Sequence, residues 1–200
     1  TKNDIIGCFA GVRVFKQQSQ AVSSDSPSAI SRDWELKSAP NGAHYAIGGK
    51  ITSSRQDAAR IVDTVCAQLG ISSLCATQGR LFPWAPQENF PAWSARTQSR
   101  AAQLGIDAES ARWLLRRHGT RIDDIFRSIE MDADLAQRII PSLPFIDADL
   151  MHCASTEMVI HLDDLLRRRL PLLILTRLTK NQLAQIAQRV ANIMQWDDMR

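Results

Sequence analysis

Ile47-Gly48-Gly49-Lys50-Ile51-Thr52-Ser53-Ser54-Arg55 is the stretch whose residue types and spacing best suit chemistry. Two adjacent glycines let the main chain take φ > 0 and approach a ligand with no Cβ between them. A helical pattern opens directly behind them, and the unpaired N–H groups of a first helical turn favour negative charge. Lys50 adds a full positive charge. The corner therefore suits an anion or an electron-rich ring. An ordinary turn with a solvated lysine accounts for the same residues, so spacing alone leaves both readings open. Arg13 is a second candidate, because an arginine inside the apolar run Asp4 to Phe15 needs a partner or a ligand, unless it snorkels from a strand end.

The remaining chemistry-bearing side chains read as structural. His44 falls on a strand at the surface, while His118, His152 and His161 fall in helical segments as structural or solvated residues. Cys8, Cys66, Cys75 and Cys153 are dispersed, with no C-x-x-C and no Cys/His ligand spacing. They read as packing thiols in a reduced, cytoplasmic setting, and no metal site is expected.

A β-hairpin must deliver the glycine corner. Trp34-Glu35-Leu36-Lys37 alternates as a half-buried strand, Pro40-Asn41-Gly42 turns the chain with φ > 0 tolerated at Asn-Gly, and His44 to Ile47 returns. A helix from about Thr52 follows, with Ala58, Ile61, Val62, Val65 and Leu69 on one face, and Gly70 stops it. Gly79 to Trp93 carries Pro83, Pro86 and Pro91 among Phe82, Trp84, Phe90 and Trp93. That proline density argues against a helix, so the stretch reads as a linker held on a surface by its aromatics. From Ser94 the pattern is helical throughout. Asp107 caps a helix ended by Gly119, and Thr120 with Asp123 suggests a capping box before the inward-facing Ile122, Ile125, Phe126 and Ile129. Pro141 and Pro144 interrupt the pattern. Leu150, Ala154, Met158, Leu162 and Leu165 place one or two helices between residues 147 and 169. Thr179 and Gln182 make another capping box, ahead of Leu183, Ile186, Ala187, Val190 and Met194.

Composition bounds the rest. Two hundred residues, 44% hydrophobic and 22% charged, describe an ordinary globular chain of one domain, or of one small domain and part of another. A net charge of +3 is too slight to indicate nucleic acid. The apolar run Leu170 to Leu175 is far short of the roughly 20 residues that cross a bilayer. The chain opens without Met on a near-apolar segment, which reads as a fragment of a longer protein.

Several spaced motifs now agree. Phe9-Ala10-Gly11-Val12-Arg13 is followed by Ser31-Arg32-Asp33, the hairpin and the Gly-Gly-Lys-x-Thr corner; then come Arg117-His118-Gly119, Leu143-Pro144-Phe145, and Glu157-Met158 leading to Leu162-Asp163-Asp164-Leu165-Leu166-Arg167-Arg168. This order resembles the C-terminal part of the FAD-dependent glycerol-3-phosphate dehydrogenases over nearly the whole chain. Against the family pattern, Val14 stands where proline is usual, Ser54 where an aromatic is usual, His161 where threonine is common, and His118 where the family has tyrosine.

The resemblance implies an α+β chain, a β-hairpin-containing remnant of an FAD-binding domain followed by an all-α domain. Residues 1–78 would be the C-terminal piece of the FAD/substrate domain, 79–93 a linker and 94–200 the helical C-terminal domain. It implies FAD held in part by Gly48, Gly49, Lys50 and Thr52, with the helix N-terminus stabilising charge at the pyrimidine edge. Arg13 and Arg32 would bind the phosphate of glycerol 3-phosphate, for which a guanidinium fork is suited. Lys50 is the implied catalytic residue, orienting the carbon that loses hydride, with dihydroxyacetone phosphate as product and a quinone as electron acceptor. No G-x-G-x-x-G follows a first strand, so the chain alone is expected neither to bind FAD tightly nor to turn over. A second reading makes the helical part an interaction module, either a cap or a homodimer or membrane-surface contact. On that reading Arg167-Arg168-Arg169 beside Leu170-Pro171-Leu172-Leu173 would touch the inner face of the cytoplasmic membrane; a solvated helix end is the alternative. A nucleic-acid partner is not expected.

Overall fold

The computed structural model describes Ile5, Cys8, residues 10–12 and residues 34–196. Arg13 and Arg32 lie outside the described residues. Two compact units make up the described residues: one lies between residues 9 and 81, and the other runs from Phe82 onward and includes Ile5 and Cys8.

The first unit opens on strands β1 (Glu35–Ser38) and β2 (His44–Ile47), paired antiparallel in the register Glu35↔Ile47, Leu36↔Ala46, Lys37↔Tyr45 and Ser38↔His44. The turn differs from the expected one. Gly42 N–H closes on Ala39 O at 3.0 Å, so Pro40 and Asn41 are the central residues, and Gly42, at φ 85°, alone takes the left-handed conformation there. Proline's fixed φ suits the second position of such a turn. A single 3₁₀ turn, Ile51–Ser53, then leads into helix α1 (Ser54–Gln68). Gly70, at φ 68°, ends α1, with Ile71 N–H donating to Cys66 O (2.8 Å) and Gly70 N–H to Ala67 O (3.2 Å). Those two bonds are the Schellman arrangement that satisfies the last carbonyls of a helix. The face expected to be core holds no buried residue, and Val62 is more than half exposed.

The second unit is all helical apart from one bridge: α2 (Phe90–Gln103), α3 (Ala108–His118), α4 (Ile122–Met131), α5 (Asp147–Thr156), a π-helical turn Asp164–Arg169, α6 (Leu172–Leu175) and α7 (Lys180–Met194). Helix α2 starts inside the stretch read as a helix-free linker. Asn89 caps it by accepting from Ala92 N–H, and Pro91 lies in the first turn, where a missing N–H costs nothing. The expected Thr120–Asp123 box is absent, because Gly119–Arg121 forms a 3₁₀ turn and α4 begins without a side-chain cap. The Thr179–Gln182 box does form. Two apolar clusters fill the unit. One gathers Trp93, Ala101, Leu114, Ile122, Ile125, Phe126 and Ala148; the other Phe145, Leu150, Ala154, Leu165, Leu166, Leu172, Ile186 and Val190. Helix α5 contributes to both, so it is the element that joins them.

Two local devices fix the helices. Asp107 caps α3, accepting from Glu109 and Ser110 N–H, and takes a bidentate pair from Arg138 at 2.7 and 2.9 Å. Gly119 ends α3 at φ 55°, and a Cβ there would lie 2.2 Å from the carbonyl oxygen of Trp84, which accepts from Thr120 N–H at 2.9 Å. The Trp84 ring is stacked on Phe82 (4.9 Å) and covered by the Arg121 guanidinium (5.0 Å).

Gly119→Ala should therefore cost about 2–3 kcal/mol, combining left-handed strain with loss of the Thr120 bond. Gly105→Ala, at φ 78° with nothing near its Cβ, should cost about 1 kcal/mol. Urea midpoints of the two variants measure the difference, and equal midpoints would show that the Trp84 contact does not matter. The Arg138 guanidinium and the Ser110 donors hold the Asp107 carboxyl well below its usual range, so its contribution is full above the unfolded carboxylate pKa and fades as pH falls below it. Asp107→Ala should lose about 1 kcal/mol at neutral pH, and the gap from the parent should narrow progressively as pH falls below about 4.

Candidate functional site

The glycine corner is built as the sequence suggests. Gly48 and Gly49 take φ of 78° and 98°, Lys50 is extended and exposed at the cap position of the 3₁₀ turn, and Thr52 is exposed. Gly48, the half-buried Gly49, Lys50 and Thr52 thus lie in the turn that leads into α1. The Gly49 position has its own packing reason, since a Cβ there would meet Trp34 Cδ1 at 3.2 Å and Asp57 Oδ2 at 3.6 Å. Asp57 sits in the first turn of α1 and accepts from the Ser53 hydroxyl at 2.8 Å. Part of the positive end of the helix is therefore already faced by a carboxylate. His44 is engaged at both ring nitrogens, with Ser38 Oγ (2.8 Å) and Gln68 Oε1 (2.7 Å), and so ties the hairpin to the far end of α1. Beside α1 lies a groove of about 320 Å³, bordered by Ala58, Val62, Cys66, Leu74 and Cys75.

The helical unit holds a second constellation, which the sequence reading missed. Asp149 is fully buried on α5, and its Oδ1 accepts from His118 Nε2–H at 2.8 Å and from the Cys153 thiol at 3.3 Å. Arg117 donates from Nη2 to Glu157 (3.2 Å) and to Cys153 Sγ (3.4 Å). Burial and the Asp149 charge push the Cys153 thiol far above its usual range, so it stays protonated. Burial and the neighbouring His118 push His152 down. Of the two readings of His118, structural or solvated, the structural one holds: it is the buried partner of a buried carboxylate. The available signal was the spacing of Asp149, Cys153 and Glu157 at i, i+4 and i+8, which puts all three on one face of a helix.

In the basic cluster each arginine has a carboxylate partner. Arg167 pairs with Asp163, Arg168 with Asp164 and Arg169 with Glu157, while Leu170 and Leu172 are fully buried. Among the described residues, no helix is long and apolar enough to cross a membrane.

The described residues thus form a unit of a hairpin, a glycine corner and one helix, followed by a helical unit with two cores. Residues 84–200 match the family described as the C-terminal domain of alpha-glycerophosphate oxidase, and the chain belongs to that family. Aerobic glycerol-3-phosphate dehydrogenases of Staphylococcus aureus strains USA300 and COL are 31% identical over 178 residues, covering 84% of this chain and 30% of theirs. The X-ray structure of the glycerol-3-phosphate dehydrogenase from Bacillus halodurans complexed with FAD matches with a TM-score of 0.67 at 25% identity, over 82% of this chain and 34% of that one. The chain spans about a third of the length of these relatives.

With its arginines paired, the protein should stay in the supernatant when sedimented with vesicles rich in anionic lipid at low salt. Co-sedimentation that high salt abolishes would mean that residues 167–169 leave their carboxylates for the lipid.

Proposed function

We propose that this chain is the C-terminal portion of an FAD-dependent glycerol-3-phosphate dehydrogenase, with residues 1–78 contributing one wall of the flavin and substrate site. The domain division proposed is that piece, a connecting segment over 79–93 and the helical domain over 94–200. The single observation carrying the reading is the positive-φ Gly48-Gly49 turn with the exposed Lys50 at the head of α1, in a chain related to a glycerol-3-phosphate dehydrogenase solved in complex with FAD.

Two successive glycines at positive φ stand just ahead of a helix N-terminus, a setting that suits an anion or an electron-rich ring. Bound there, FAD would supply a hydride acceptor for C2 of sn-glycerol 3-phosphate, with a quinone as the electron acceptor. Gly48 and Gly49 border the cofactor with main chain alone, and Thr52 adds a hydroxyl. Lys50 brings an ammonium group to the substrate and orients it. Arg13 and Arg32 hold the phosphate, whose oxygens match the guanidinium fork. The groups that bind the pyrophosphate, and the base that takes the hydroxyl proton, are assigned to other parts of the longer protein.

The test is made in the full-length enzyme. Lys50→Ala should lower kcat about 100-fold with flavin content unchanged, as for a lost orienting contact. Arg32→Ala should raise KM for glycerol 3-phosphate by about tenfold or more, the loss of a charged hydrogen bond. Unchanged kinetics in both variants, with flavin still bound, would remove the corner from the site.

A further inference from the structure

The buried constellation of the helical unit carries a reading unconnected with the flavin. Three different donor atoms converge between the last turn of α3 and the middle of α5: His118 Nε2, an Asp149 carboxylate oxygen and Cys153 Sγ, all within 4.8 Å of one another. All three residues are buried. Two of the hydrogens, on Nε2 and Sγ, point at the same oxygen, Asp149 Oδ1. The other oxygen, Oδ2, is buried with no hydrogen-bond partner. A buried carboxylate with an idle oxygen is costly.

We propose that His118, Asp149 and Cys153 bind one divalent transition-metal ion of the zinc class, stapling α3 to α5. Nitrogen, oxygen and sulfur donors together suit zinc in tetrahedral coordination, which three protein ligands and one further donor complete. His152 is the nearest further imidazole, its ring edge-on to His118 at 5.1 Å between centroids. The charges on the site's rim are balanced without the ion. Arg117 and Arg169 share Glu157, and Arg117 Nε lies 3.8 Å from Asp149 Oδ1. Two cations thus face two carboxylates. Binding proceeds by exchange: the metal enters, the Cys153 thiol gives one proton to solvent, and His118 ligates through Nε2 as the tautomer that carries its hydrogen on Nδ1. No spacing motif announces the set, because 31 residues separate His118 from Asp149.

The 200-residue protein, stripped with a chelator and dialysed, is titrated with Co²⁺. The expected result is a thiolate-to-cobalt charge-transfer band in the near ultraviolet with intense visible tetrahedral bands, saturating at one ion per chain and erased by Zn²⁺. Cys153→Ser, nearly isosteric, should lose the near-ultraviolet band. His118→Gln should bind at least about tenfold more weakly, since even the loss of an outer-sphere partner costs that much. Absence of both bands at saturating Co²⁺ in the folded parent chain overturns the proposal. So does a charge-transfer band that survives in Cys153→Ser, because the thiolate would then be Cys8, Cys66 or Cys75.

Discussion

A carboxylate with no access to solvent sits at the centre of the helical unit, and the surrounding structure is arranged to tolerate it. Asp149 lies on α5, the helix that belongs to both apolar clusters, so it cannot turn outward without breaking one of them. An isolated charge there would cost several kcal/mol. The cost is offset by His118 and Arg117 from the end of α3, by Cys153 one turn further along α5, and by Glu157, which holds Arg117 and Arg169 in place. The position of α3 on α5 thus rests on an electrostatic requirement as well as on apolar contact. Gly119 then lets the chain leave α3 directly after His118, so that Thr120 N–H reaches the Trp84 carbonyl.

The two units hold themselves together by different means. In the helical unit, Phe126, Phe145, Leu150, Leu165 and Val190 are fully buried, and burial of apolar area is the main source of stability. In the hairpin unit α1 buries nothing; its order comes from a Schellman ending, the His44 bridge to Gln68 and the Asp57–Ser53 contact. A two-stranded hairpin is marginal by itself in water, so the contacts to α1 matter to it. Val62, Leu69 and Leu74 stay exposed in this unit.

Much of this was legible in the sequence where a local cause decided the outcome. Asp107, Gly119, Thr179 and Gln182 act at helix ends as their types dictate, and Ile122, Ile125, Phe126 and Ile129 face inward at their spacing. The errors came where two local rules competed. Pro91 was read as a helix breaker although it occupies a first turn, and Thr120 was read as a cap although Gly119 had already set a 3₁₀ turn. The glycine corner was visible because its residues are contiguous. The Asp149 network was not, because its members come from two helices and only tertiary packing joins them; Met158, counted in the apolar stripe, instead takes φ 54° at the surface.

The contact between positions 84 and 119 also bears on how such chains can diverge. Gly119 meets the main-chain carbonyl of residue 84, and every amino acid carries that carbonyl. Substitution is therefore closed at one member of the pair and, as far as this contact goes, free at the other. Two positions in intimate contact would then vary without any correlation between them. A map of co-varying residues drawn from many homologues would leave blank the point where the entering segment is fastened to the helical unit.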